Sequence, residues 1–137
     1  MKQEKIDKAY INIAREISAL SHCERKQVGA IIVKDNNILS FGYNGTPSGM
    51  SNKCELGGKT RWIVLHAESN AIVKVAKSTS SSDGATMYTT LSPCDECSKL
   101  IVQAGIKRIV FDEVYEGSIK GLNLLKMNNI QVEQIIE

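Results

Sequence analysis

The sequence predicts an α/β fold, a mixed five-stranded sheet held between helices, with residues 1–137 forming one domain. Three observations carry that expectation. A chain of 137 residues that is 42% apolar and 23% charged has the size and composition of one ordinary globular domain. Two short apolar runs rich in β-branched residues, Val28–Val33 and Ile38–Phe41, flank Asp35-Asn36-Asn37 and read as an antiparallel hairpin. Beyond residue 60 the pattern alternates between helical and strand periods, which calls for parallel crossovers.

The elements follow in order. Ile6, Ala9, Tyr10, Ile13, Ala14, Ile17 and Leu20 recur at helical spacing, so the first twenty residues form an amphipathic helix. After the hairpin, the glycine-rich stretch 42–58 reads as a long irregular loop. A helix over Thr60–Lys77 is expected from Ile63, Ala67, Ala71 and Val75 on one face, with Trp62 packing at its start. Ala85–Thr90 is a strand. Cys94–Ala104 is a helix, with Pro93 before its start and Gly105 past its end, the usual asymmetry of helix termini. A strand over Ile106–Phe111, a helix over Lys120–Met127 and a strand over Ile130–Ile136 complete the chain.

Composition excludes some functions. Seventeen Lys and Arg against fifteen Asp and Glu leave a formal charge of +2, too little to argue for nucleic acid or an anionic membrane. No apolar run approaches the roughly eighteen residues of a membrane span, and the polar start MKQEKIDKAY is unlike a secretory signal. The expected compartment is the cytoplasm, where Cys23, Cys54, Cys94 and Cys97 point to metal or free thiols before disulfides.

The informative residues are His66-Ala67-Glu68 and Pro93-Cys94-Asp95-Glu96-Cys97. Zinc favours nitrogen and thiolate ligands in a tetrahedron, and a catalytic zinc keeps one position for water. Cys94 and Cys97, three apart in the first turn of a helix, can face one point, and the helix N-terminus favours their thiolates. His66 is the third ligand. Glu68 would point about 200° away from His66 within a helix, but at a helix start both can line one cavity. Zinc activates a water, and a carboxylate beside it can take the proton and return it to a leaving group. A structural zinc site, the competing reading, lacks a good fourth ligand and has no use for Glu68.

H-x-E followed by P-C-x-x-C is the signature of the zinc nucleobase deaminases. Cys23-Glu24-Arg25-Lys26-Gln27-Val28-Gly29-Ala30, Gly42-Tyr43-Asn44-Gly45-Thr46-Pro47-Ser48-Gly49, His66-Ala67-Glu68-Ser69-Asn70-Ala71 and Gly105-Ile106-Lys107-Arg108 extend the likeness. Over residues 20–115 the chain resembles the cytidine/deoxycytidylate deaminase zinc family, and within it the deoxycytidylate (dCMP) deaminases. The resemblance implies a three-layer α/β/α sandwich and zinc-dependent hydrolysis of dCMP to dUMP and ammonia. It implies one catalytic Zn²⁺ per chain on His66, Cys94 and Cys97, with Glu68 as the proton carrier. The Ala67 backbone N–H would hold the C2 carbonyl of the base, Asn44 the sugar hydroxyl and Arg25 the phosphate. By themselves Asn44 reads as a turn former and Arg25 as a solvated charge. Tyr115 reads either as a core or rim aromatic or as a residue beside the base.

The resemblance also implies a homo-oligomer, commonly a hexamer, activated by dCTP with Mg²⁺ and inhibited by dTTP. Gly42, Tyr43, Asn44, Gly45 and Asn70 are the candidate residues for that second nucleotide. Some family members carry a structural zinc as well. Here its usual extra ligands are missing, so Cys23 and Cys54 are expected to be free thiols. Another zinc deaminase, acting on cytidine or tRNA adenosine, and a non-catalytic nucleotide-sensing module are the alternatives. With 5% aromatic residues, the chain lacks the aromatic-rich basic groove expected of a polynucleotide editor.

Overall fold

A computed structural model describes residues 2–136. The elements are α1 (Lys2–Ser18), β1 (Gly29–Lys34), β2 (Asn37–Tyr43), β3 (Glu55–Leu56), β4 (Lys59–Thr60), α2 (Ala67–Ala76), β5 (Thr86–Leu91), α3 (Asp95–Gln103), β6 (Arg108–Glu113), α4 (Ile119–Met127) and β7 (Gln131–Gln134). A 3₁₀ turn over Glu116–Ser118 precedes α4. The main sheet has five strands in the order β2-β1-β5-β6-β7. β1 pairs antiparallel with both β2 and β5, whereas β5–β6 and β6–β7 are parallel. This is the expected mixed sheet: a tight turn joins β1 to β2, and helices carry the parallel crossovers.

Alternation along β1 builds both layers around the sheet. Ala30 and Ile32 pack with Ala67, Ala71 and Val75 of α2, Ile101 of α3 and Leu125 of α4. Ile31 and Val33 point to the other face and pack with Ile11 of α1, Tyr88 and Val110. A strand covered on both faces loses its polar alternation and reads as a continuous apolar run. Each fully buried Ile contributes about 1.5–3 kcal/mol of burial free energy. Gly42 brings α2 close to β2: a Cβ there would meet the Ala67 carbonyl oxygen and lie 2.6 Å from the Ala71 amide nitrogen. No helix among the described residues is long and apolar enough to cross a membrane.

Three expectations are corrected. The stretch 42–58 is not wholly irregular, because β3 and β4 form a small antiparallel hairpin turned at Gly57 and Gly58. The helix expected from Thr60 begins only at Ala67. Residues 61–66 instead turn at Trp62–Ile63, where Val64 N–H donates to the Arg61 carbonyl, and are pinned to the preceding loop: Arg61 N–H donates to the Cys54 carbonyl, and Gly45 and Leu65 exchange backbone hydrogen bonds. Trp62 therefore has no helix face to pack on and stands 94% exposed. Finally, Cys23 and Cys54 are not free thiols. They form a disulfide across 31 residues, with Cα atoms 5.1 Å apart, because the loop before β1 folds onto the loop after β2. Ser21 Oγ donates to the Asn44 carbonyl there, and the Glu55 carboxylate accepts from the Glu24 and Arg25 amides.

Candidate active site

The N-termini of α2 and α3 converge beside the carboxyl end of β5, the edge where open α/β sheets build their sites. His66 is the residue immediately before α2 and Cys94 the one before α3. His66 Nδ1 lies 3.4 Å from Cys94 Sγ and 3.3 Å from Cys97 Sγ. Ligands at zinc–sulfur and zinc–nitrogen bond lengths sit about 3.5 Å apart along a tetrahedron's edges, so the three side chains fit that ion. Among the described residues they form one of two clusters able to hold a metal. The other comprises Cys23, Cys54 and Glu55, and its two sulfurs are bonded to each other.

Electrostatics favour a cation at the first cluster. A hydrogen bond from Cys97 is the largest influence on Cys94, and with His66 and the Cys97 amide it overcomes burial to bring the Cys94 thiol down to about 4. The Cys97 thiol is pushed up by its bond to Cys94 and by burial, while the bond to Cys94 raises His66. Without a metal, one thiolate is shared among neighbours that hold their protons. A divalent cation takes the place of those protons. Glu68, in the first turn of α2, is 4% exposed. Burial pushes its carboxyl up to about 7, against smaller lowering by its own backbone N–H and by His66.

A cavity of about 330 Å³ opens onto this cluster. His66, Glu68 and Cys94 line it together with Ala67, Asn44, Arg25 and Tyr115. Cys97 is buried behind them. Ala67 is the first residue of α2, so its N–H has no partner within the helix. Arg25 is exposed and reaches Thr60 Oγ1 at 3.4 Å. The Asn44 side chain ties the loop after β2 to the loop before β1: Oδ1 accepts from Val28 N–H at 2.9 Å and Nδ2 donates to the Lys26 carbonyl at 2.8 Å.

Gly42, Tyr43, Gly45 and Asn70 do not line the cavity. They tie the end of β2 to α2: Asn70 Nδ2 donates to the Tyr43 carbonyl at 2.9 Å, and Gly42 makes the close approach described above. The amides of Asn44 and Gly45 are bonded to the Val28 and Leu65 carbonyls. Sequence reasoning missed Lys26, Glu55 and Ser92 as cavity-lining residues. Lys26 and Ser92 stand next to residues it singled out, Arg25 and Pro93. Glu55 carried no signal.

The model of the cytidine and deoxycytidylate deaminase zinc-binding region matches residues 4–113. The chain belongs to this family. Deoxycytidylate deaminase of enterobacteria phage T4 is 33% identical over 165 residues, spanning 89% of this chain and 86% of that protein. The crystal structure of dCMP deaminase from cyanophage S-TIM5, in complex with dCMP and dUMP, superposes with a TM-score of 0.92 at 46% identity. It covers 95% of this chain and 96% of that one. A diaminohydroxyphosphoribosylaminopyrimidine deaminase/5-amino-6-(5-phosphoribosylamino)uracil reductase from Thermotoga maritima is more distant, with a TM-score of 0.77 at 26% identity over 37% of its length.

Proposed function

We propose that this deaminase-family chain hydrolyses dCMP to dUMP and ammonia. The observation that carries the proposal is the meeting of Glu68 with His66 and Cys94, backed by Cys97, at one cavity that also takes in Arg25 and Lys26. Carboxylate and ligand set supply the hydrolytic chemistry, and the two cations suit the phosphate of a nucleotide. Zn²⁺ held by the three ligands supplies an activated water as nucleophile near neutral pH.

The chain's own residues do the rest. Glu68 takes one proton of the attacking water and passes it to ring N3, then takes the remaining proton of the new C4 hydroxyl and delivers it to the departing amine, so that C4 exchanges its C–N bond for a C=O bond. In the metal-free protein burial raises this carboxyl to about 7, and a general acid–base works best with a pKa near the working pH. The unpaired Ala67 N–H holds the C2 carbonyl. Asn44 presents to the sugar the amide proton its loop leaves unused, and Tyr115 forms the wall beside the base.

The wider reading includes one domain over 1–137, one zinc per chain, a cytoplasmic location and dUMP supply for thymidylate synthesis. Self-association is supported by the apolar side chains Ile38, Phe41 and Val73, exposed on β2 and α2, and the hexameric number rests on the family resemblance. Regulation by dCTP with Mg²⁺ and by dTTP, at Gly42, Tyr43, Asn44, Gly45 and Asn70, rests on the family resemblance. Since the Asn44 and Gly45 amides are engaged, contacts to a nucleotide there would fall to side chains. Ammonia release measured with dCMP, CMP, deoxycytidine and a short single-stranded DNA tests the substrate. Activity confined to dCMP is expected, and preference for any of the others refutes it.

A further inference from the structure

Two buried serines close a hydrogen-bonded ring around the backbone of Tyr115. Ser92 and Ser118 are 2% and 0% exposed, and their hydroxyl oxygens are 2.8 Å apart. Tyr115 N–H donates to Ser92 Oγ at 2.7 Å, and Ser118 Oγ donates to the Tyr115 carbonyl. A hydroxyl carries one proton. Since Ser118 spends its proton on that carbonyl, Ser92 must donate to Ser118. The direction is thereby set: Tyr115 N–H to Ser92, Ser92 to Ser118, Ser118 to the Tyr115 carbonyl.

The ring of Tyr115 has two neighbours at this turn. It lies over Gly117, where a Cβ would come within 2.6 Å of Cε2 and 2.8 Å of Cζ. Across the cavity mouth, Lys26 Nζ stands 4.8 Å from the ring centroid, within cation–π range. Ser92 also precedes the Pro93-Cys94 step that leads into α3, so the hydroxyl pair joins the loop carrying a candidate metal ligand to the loop carrying the aromatic wall.

We propose that Ser92 and Ser118 are positioning residues that fix Tyr115 over Gly117, so that its ring stands preformed as the wall of the base pocket. The inference rests on the dCMP reading above and extends it to residues that touch no reacting atom. Holding a substrate-facing wall in place acts mainly through binding, so losing it raises KM more than it lowers kcat. A serine needed only for folding would act independently of the Tyr115 ring.

The test is a pair of double-mutant cycles on the zinc-loaded enzyme, with KM and kcat for dCMP and zinc content measured throughout. Ser118→Ala is expected to raise KM about tenfold and to change kcat less than about threefold, with zinc retained. Gly117→Ala, at an exposed turn position, perturbs the ring without touching the hydroxyls and is expected to act in the same direction. It keeps the test decisive should Ser118→Ala not fold. In a Tyr115→Ala background both effects should vanish, because no ring remains to be placed. Effects that persist unchanged in that background, or a Gly117→Ala enzyme with wild-type KM, overturn the proposal. A wild-type enzyme that fails to turn over dCMP refutes the substrate reading itself, and this inference with it.

Discussion

Replacing Glu68 by Gln separates what this carboxylate does for chemistry from what it costs the fold. The group is 4% exposed, and burial raises it from 4.5 to about 7. In the metal-free protein the folded state therefore holds the Glu68 proton more tightly than the unfolded state does. The Glu68 contribution to stability is highest below pH 4.5, falls as pH rises through the interval from 4.5 to 7, and is reduced by a constant amount above it. At about 1.4 kcal/mol for each pH unit of displacement, the reduction is about 3 kcal/mol. Gln has the same shape and no charge to bury. Metal-free Glu68→Gln should thus be about as stable as wild type at pH 4.5 and about 3 kcal/mol more stable at pH 8. Urea denaturation of the chelated proteins at both pH values measures this. The zinc-loaded variant should keep its metal and lose at least about 10² to 10⁴ in kcat, the usual worth of general acid–base catalysis. Near-wild-type ammonia release with zinc bound refutes the assignment of Glu68 as proton carrier. A variant no more stable than wild type at pH 8 refutes the account of its burial.

His66→Ala, Cys94→Ser and Cys97→Ser should each lose metal and activity together, with one zinc per chain in the wild type. Two zinc ions per chain would show that Cys23, Cys54 and Glu55 bind metal instead of the cysteines pairing. Arg25→Ala should lower kcat/KM for dCMP about ten- to a hundredfold, the worth of a charge-assisted phosphate contact, and leave deoxycytidine nearly unaffected. Equal losses on both would make this arginine structural. Asp7→Ala removes the carboxylate that accepts from Arg108 at 2.6 and 2.9 Å and from Tyr88 at 2.6 Å. Breaking one side of such a buried pair costs about 3 kcal/mol, a fall of about 10 °C in Tm for a chain of this size. Burial raises the Asp7 carboxyl, but bonds from Arg108, Tyr88 and Gln3 together bring it below 3.8. Its stabilisation is therefore present above pH 3.8 and lost in more acid solution, where wild type should approach the variant. A difference between them that does not narrow in acid contradicts this.

His66, Glu68, Cys94 and Cys97 were legible in the linear chain because a metal ligand set demands rare residue types at short spacings. The strand and helix periods along 28–41 and 85–136 were legible for a related reason. A period of two or 3.6 is imposed locally by which face is buried. The sequence by itself therefore determined the strands of the main sheet and its helices, their order, and the chemistry available where α2 and α3 begin, but not the β3–β4 hairpin.

What it did not determine are contacts between segments distant in the chain. Residues 61–66 carry apolar side chains compatible with a helix, yet a turn at Trp62–Ile63 and pairing between Gly45 and Leu65 keep them out of it, so tertiary hydrogen bonds outweigh a weak local propensity. Cys23 and Cys54 lie 31 residues apart, and no local rule reports their approach, which depends on two loops closing over the same cavity. Ser92 and Ser118 are ordinary residues in a list. They acquire a role only where β5 and β6 end side by side and burial obliges each hydroxyl to find a partner. Asn44 was marked by its glycine-rich setting, but only the folded loops show its amide bridging Val28 and Lys26. Local periodicity is written in neighbouring residues, whereas these partnerships exist only after the sheet has brought remote segments within hydrogen-bonding distance.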